Sequence, residues 1–336
     1  MKKLVLIDGH ALLFRAFYAF PQTLTMDSGE LINAVYGFTS ILLTVIRELE
    51  PTHLVVSFDL DKPTFRHKSF KDYKAHREET PQELIDQEGR VRQVVEVLNI
   101  PVYEKEEFEA DDVIGTLAEQ AKDEEDLETL IVTGDLDALQ LVDDDEKGKV
   151  HVYVPSRGKK PAKIYDEEAV EERYDGLEPE QVPDLKGLAG DVSDNIPGVK
   201  GIGPKTAIGL LKKYRTVEGV YKKIDEVLRQ SGISLNSRSA QDDKVVLKSL
   251  ATLSNKIGIS GSVLRKLIDG RELAVMSKEL AIIRRDSPIK LNVEKSKISD
   301  YDKAKAIRLF EELQFNSLIK KLPNDDFEES VQDALF

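Results

Sequence analysis

The chain has 336 residues, 40% hydrophobic and 33% charged, which allows two modest domains and contains no apolar run near the roughly 18–20 residues of a membrane span. It holds no cysteine, which excludes disulfide scaffolds, thiolate zinc sites and cysteine nucleophiles and leaves carboxylates as the abundant chemical groups. The formal charge, 48 − 62 = −14, argues against a nucleic-acid partner only until its distribution is read.

Met1-Lys2-Lys3 leads into a strand-like pattern with no signal-peptide cleavage region, so the cytoplasm is the expected location. Residues 3–7, 53–58, 129–133 and 150–154 read as short buried strands, and helix-length segments at 34–48, 84–98 and 111–122 lie between them. This alternation predicts an α/β domain over residues 1–175 with a mainly parallel sheet covered on both faces. From about 176 the strand signal fades, and Leu185 to Leu188, Thr206 to Tyr214, Val220 to Leu228, Asp243 to Thr252 and Lys303 to Leu313 read as helices of a second domain ending near 322. Gly232 to Asp242 reads as a loop, and residues 323–336, with five acids and no base, as a flexible tail.

Two basic islands interrupt the acidic average. Lys62, Arg66, Lys68, Lys71, Lys74 and Arg77 form one, and Lys200, Lys205, Lys212, Lys213, Arg215, Lys222 and Lys223 the other. Local charge of this kind steers an anionic partner whatever the net charge.

The acids are placed as deliberately. Asp8, Asp59 and the pair Asp135 and Asp137 follow predicted strands, while Glu109, Asp111 and Asp112 precede a predicted helix. Ligands of open α/β sheets bind at the carboxyl ends of the strands, so these acids are expected to converge. Converging carboxylates repel one another unless divalent ions neutralise them, and hard oxygen donors without cysteine or paired histidine favour Mg²⁺ or Mn²⁺ over zinc. A single Asp after a strand is as often a helix N-cap or turn former; four such sites together weaken that alternative. In the helical half, Asp191 and Asp194 are three apart and can face the same way on a helical turn. Gly198, Gly201 and Gly203 then permit a tight turn with backbone N–H groups exposed before the Thr206 helix, a place for a phosphate beside Lys200 and Lys205.

Five blocks carry a resemblance: LIDGHALLFRAFYAF (6–20), VVSFDLDKPTFRHKSFKDYKAHR (55–77), FEADDVIGTLA (108–118), IVTGDLDALQL (131–141) and LAGDVSDNIPGVKGIGPKTA (188–207). In this order they resemble the 5′ nucleases, comprising the N-terminal 5′-3′ exonuclease domain of bacterial DNA polymerase I and the flap endonucleases. The later LFEELQFNSLIKKL (309–322) is similar to the segment that ends this domain in polymerase I. The resemblance implies a PIN-like α/β nuclease core with a helical arch at about 62–92, and a helix-three-turn-helix element at about 188–214. It implies a metal site from Asp8, Asp59, Glu109, Asp111, Asp112, Asp135, Asp137, Asp191 and Asp194, with two Mg²⁺ ions that Mn²⁺ can replace, and a K⁺ at the helix-three-turn-helix. Asp111 and Asp135 would be essential to catalysis, and Lys74 and Arg77 would put positive charge on the scissile phosphate. Arg66, Tyr73, Lys74 and Arg77 would meet the 5′ strand, and Gly198, Lys200, Gly201, Gly203, Lys205 and Thr206 the duplex.

The expected function is that of a structure-specific 5′-3′ exonuclease and flap endonuclease acting on DNA with 5′ flaps, nicks or gaps, RNA-primer flaps included, in replication and repair. A monomer near the nucleoid is expected. Two alternatives are a noncatalytic DNA-structure binding protein and a PIN-type ribonuclease; the full acidic set speaks against the first, the helix-three-turn-helix against the second. Leu136 stands where many relatives have Lys, and Pro204 where an acid is common. Fourteen residues follow position 322, so the expectation is a stand-alone nuclease or a polymerase I fragment. Gln332, Leu335 and Phe336 of the terminal QDALF resemble the short peptide with which bacterial replication proteins bind the sliding clamp, a Leu-Phe anchor on a tether.

Overall fold

The structure, a computed structural model, describes residues 2–231, 253–254, 257–326 and 328. The expected helix Asp243 to Thr252, the loop Gly232 to Asp242 and the clamp-peptide residues Gln332, Leu335 and Phe336 lie outside them. In chain order the described elements begin with β1 (Lys2–Asp8), α1 (Gly9–Ala19), α2 (Asn33–Leu49), β2 (His53–Ser57), α3 (Phe65–Ser69), α4 (Gln82–Val97), β3 (Val102–Tyr103), α5 (Ala110–Ala121), β4 (Leu127–Val132), β5 (Val150–Val154) and β6 (Lys163–Tyr165). There follow α6 (Glu167–Arg173), α7 (Val182–Ala189), α8 (Pro204–Tyr214), α9 (Val217–Ser231), α10 (Gly261–Asp269), α11 (Arg271–Ala281), α12 (Lys303–Glu312) and α13 (Asn316–Ile319).

The chain forms two compact units, one of Met1–Phe65, Glu78–Glu167 and Ile283–Phe336, the other of Arg66–Arg77 and Glu168–Ile282. Burial explains the return of the C-terminal segment: Phe310, Leu313, Phe315 and Leu318 share the first unit's core with Phe17, Phe38 and Leu42. Within the stretch expected as the arch, at 62–92, the chain from Gln82 onward is a packed helix that buries Leu84, Gln87 and Val91, with Gln87 accepting from the backbone N–H of Ala34 at 2.8 Å.

The first unit is built on a six-stranded sheet of order β3-β2-β1-β4-β5-β6. Its first five strands are parallel, and β6 closes the edge antiparallel to β5. Leu4, Val5, Leu6 and Ile7 of β1 are fully buried, as a central parallel strand covered on both faces requires. The four expected strands are present; β3 and β6, two and three residues long, were too short to leave a periodic signal. The second unit is helical, its core drawn from Leu188, Val199, Ile202, Leu211, Val217, Leu264, Leu267 and Ala274. Among the described residues no helix is long and apolar enough to cross a membrane.

Candidate functional site

Parallel pairing puts the ends of β1, β2 and β4 on one edge of the sheet: Asp8 is level with Ser57, and Ile7 with Val132. Three of the expected acids are tied together there. Asp8 caps α1, accepting from the Ala11 N–H at 2.9 Å, and its other oxygen accepts from the Thr133 hydroxyl at 2.8 Å. Thr133 in turn accepts from the Asp135 N–H at 3.0 Å, and Asp135 from the Asp137 N–H at 2.9 Å. Asp59 accepts from the Ala110 N–H at 2.8 Å, which brings the start of α5, and with it Glu109 and Asp111, to the same edge. N-capping and clustering, treated as alternatives in the sequence, are both true of Asp8 and Asp135.

Electrostatics records the crowding. Burial, and then the charges of Asp59 and Asp135, raise the Asp8 carboxyl to about 6, against the opposing hydrogen bonds from Ala11 and Thr133. His10 was not singled out in the sequence, although it adjoins the Asp8-Gly9 pair. Its Nδ1 accepts from the Asp59 N–H at 2.9 Å, and its Nε2 is 3.5 Å from Glu88. Burial disfavours the His10 cation, but Glu88, Asp59 and Asp8 outweigh that and raise its pKa.

Asp112 differs from its neighbours. It is fully buried, and its two carboxylate oxygens accept from the backbone N–H of Glu109 at 3.0 Å and of Arg284 at 2.8 Å. Both oxygens thus accept backbone N–H groups and join the α5 cap to the returning C-terminal segment, beside the metal ligation that the resemblance implies for Asp112. Among the described residues no three His, Cys, Asp or Glu side chains are disposed as an ion would require. The donor chemistry nevertheless fits a hard divalent cation: oxygen ligands, carrying a mutual repulsion that such a cation would relieve.

In the helical unit Asp191 and Asp194 lie on a loop closed by paired hydrogen bonds between Asp191 and Ile196, both 2.8 Å, and not on the helical turn expected. They face different partners. Asp191 accepts from Ser193 and pairs with Lys186; burial opposes its ionisation, but Lys186 and Ser193 hold its pKa below the usual value. Asp194 is buried and accepts from the Tyr73 hydroxyl at 3.1 Å and from Arg77 at 2.5 Å, with the Lys74 ammonium 3.8 Å away. Tyr73 is itself buried, beneath Lys74 and edge-on to His67. Arg66 is 2% exposed and donates to the carbonyls of Leu280 and Ile282 at 2.9 and 2.7 Å. Arg66 and Tyr73 therefore hold the 66–77 segment in its unit.

The glycine turn divides in the same way. Gly198 is buried at φ +58°, and a Cβ there would stand 2.2 Å from the Gly190 nitrogen, so its contribution is to packing. Gly198→Ala should lower the melting temperature of the protein, reflecting at least ~1–3 kcal/mol of backbone strain before any clash; a differential scanning calorimetry trace matching the wild type would contradict this. Gly201, Gly203, Lys200 and Lys205 are exposed, and nothing lies within 4 Å of a Cβ placed on Gly203, the N-cap of α8. The described residues offer no acceptor to the N–H of Gly201 or Gly203. Thr206, by contrast, donates its backbone N–H to Gly203 at 3.0 Å. Further along the second basic island, Lys212 pairs with Asp175, Lys213 donates to the Ile257 carbonyl, Arg215 pairs with Glu178 and Lys223 with Glu226.

Residues 3–175 match the family model described as the 5′-3′ exonuclease N-terminal resolvase-like domain, and residues 177–263 the one described as the 5′-3′ exonuclease C-terminal SAM fold. The DNA polymerase I of Chloroflexus aurantiacus is 43% identical over 96% of this chain and 31% of its own length. That of Bacillus subtilis is 40% identical over 99% of this chain and 34% of its own length. The chain thus spans about a third of the length of these relatives. Among solved structures, T5 5′-exonuclease with bound zinc superposes with a TM-score of 0.59 at 19% identity, covering 94% of this chain and 99% of that one. The catalytic core of Rad2 in complex with DNA substrate gives 0.55 at 15% identity, covering 96% and 91%.

Proposed function

The chain belongs to the 5′-3′ exonuclease family, and from that premise we propose that it is a divalent-metal-dependent, structure-specific nuclease that hydrolyses DNA phosphodiesters near a free 5′ end and leaves 5′ phosphates. The observation that carries the reading is the gathering of Asp8, Asp59 and Asp135 at the carboxyl edge of the sheet, close enough for the last two to raise the first. A carboxylate cluster that disfavours its own ionisation is poorly suited to stability and well suited to cations. The metal-bound T5 relative and the DNA-bound Rad2 core support metal and DNA as the ligands of this chain.

Asp8, Asp59, Glu109, Asp111, Asp135 and Asp137 would hold two Mg²⁺ ions in the first unit, and Asp191 and Asp194 remain the acids of the helical one. When bound, the ions supply Lewis acidity to a water nucleophile and to the leaving 3′ oxygen. Thr133 and the α1 and α5 N-termini fix the carboxylates of Asp8 and Asp59 through hydrogen bonds, so that donor positions are set before the ion arrives. Lys74 and Arg77 supply fixed positive charge to a phosphate whose nonbridging oxygens gain charge in the transition state. Exposed Lys200, Lys205 and the free N–H groups of Gly201 and Gly203 bind duplex backbone at the turn where the resemblance implies a K⁺. Selection of substrate by shape and by a 5′ end, in replication and repair, follows from backbone contacts that read no base. The QDALF end adds the sliding clamp as a partner.

The test is cleavage of a 5′-labelled double-flap DNA by the purified protein with Mg²⁺ or with EDTA. Metal-dependent release of the flap near its junction is expected. Tight binding with no product at any Mg²⁺ concentration would instead make this a DNA-structure binding protein.

A further inference from the structure

Lys266 lies on α10, beyond residue 263 where the C-terminal family match ends. Its ammonium donates to the carbonyl oxygen of Gly201 at 2.9 Å. The side chain lies flat over that glycine: a Cβ on Gly201, which sits at φ +82°, would meet the Lys266 Nζ at 2.9 Å and Cε at 3.0 Å. The helix beneath is anchored to the same turn. Leu264 and Leu267 share a core with Val199 and Ile202, and a Cβ on Gly270 would stand 2.8 Å from Val199 Cγ1. Lys266 is therefore placed by packing, unlike a surface lysine free to sample solvent.

Its charge is also uncommitted. Among the described residues no carboxylate pairs with Lys266, whereas Arg265 beside it is matched to Asp269 and four cations of the preceding basic island are held by protein oxygens. An ammonium has three N–H donors, and Gly201 takes one. The other two remain beside Gly201, in the turn that carries the exposed Lys200 and Lys205.

We propose that Lys266 is a phosphate-binding residue of the glycine turn, an internal cation that occupies the Gly201 carbonyl and offers its remaining donors to the DNA backbone. It supplies at this turn the positive charge that the resemblance gives to a potassium ion, so duplex binding by this protein should not depend on which monovalent cation is present. The inference rests on the turn being the duplex-binding surface, and the test separates the two.

The measurement is fluorescence anisotropy of a labelled blunt duplex with the full chain in EDTA, at equal ionic strength in KCl or LiCl. Wild-type affinity should agree between the two salts within about twofold. Lys266→Met should weaken binding by about tenfold, the loss of one charge-assisted contact, and flatten the salt dependence by about one unit. Lys266→Arg, which keeps the charge, should recover most of that loss, and melting curves of both variants report whether the turn has held. Wild-type binding that is much tighter in KCl than in LiCl would overturn the inference, even if the Met variant failed to fold. So would a folded Lys266→Met that binds like the wild type while Lys205→Ala binds weakly. Were Lys205→Ala also to bind like the wild type, the turn would not be the DNA surface, and the duplex-binding reading would fall together with the role of Lys266.

Discussion

Asp135→Asn is expected to slow single-turnover cleavage of a 5′-flap DNA by at least ~10²–10³-fold while leaving flap binding in EDTA within about twofold of the wild type. The substitution is chosen to separate charge from fold. Asp135 caps the turn at 136–141 by accepting from the Asp137 N–H, and the amide oxygen of Asn accepts the same bond as well as a carboxylate does. What disappears is one negative charge among those that crowd Asp8. The variant should therefore melt no lower than the wild type in EDTA, and it should gain less from added Mg²⁺ because one ligand charge is missing. Scanning calorimetry with and without Mg²⁺, run beside the cleavage assay, checks both halves. A variant that cleaves at the wild-type rate would remove Asp135 from the site, and one that melts well below the wild type in EDTA would make it a structural residue.

Asp112→Ala should behave in the opposite way. Its carboxylate is fully buried and receives the N–H groups of Glu109 and Arg284, so alanine leaves one buried and one part-buried donor without that acceptor. At about 1–3 kcal/mol for each stranded group, the expected loss is on the order of 2–5 kcal/mol of unfolding free energy, read from urea denaturation. Asp111→Asn, one residue earlier on the half-exposed face of α5, should cost activity and little stability. Were Asp112→Ala to unfold at the wild-type urea concentration yet fail to cleave, Asp112 would be a metal ligand, as the resemblance implied, and not a structural residue.

The contrast between these neighbours marks how far the sequence reaches. The strands at 3–7, 53–58, 129–133 and 150–154 could be read because a buried strand of a parallel sheet must be apolar along its length, and the acids after them were conspicuous because parallel strands end on one edge. A short edge strand such as β6 has no room for that signal, and α1 carries a phenylalanine-rich pattern adjoining the first acid that was read as part of a motif and not as an element.

The chemistry available was legible along the chain: oxygen ligands and their order, a glycine turn and two cationic stretches. Which of those groups are uncommitted was settled by packing in three dimensions. Asp112 is tied to Arg284, 172 residues away, as well as to Glu109 three residues before it. Arg66 and Tyr73 are turned inward by Leu280, Ile282 and Asp194, whereas Lys266 meets Gly201 across 65 residues. The physical reason is that a charged or polar side chain acquires its role from the partner that meets its hydrogen-bonding capacity. In a fold whose segments return to cores laid down hundreds of residues earlier, that partner is fixed by tertiary contacts and leaves no mark on the local pattern.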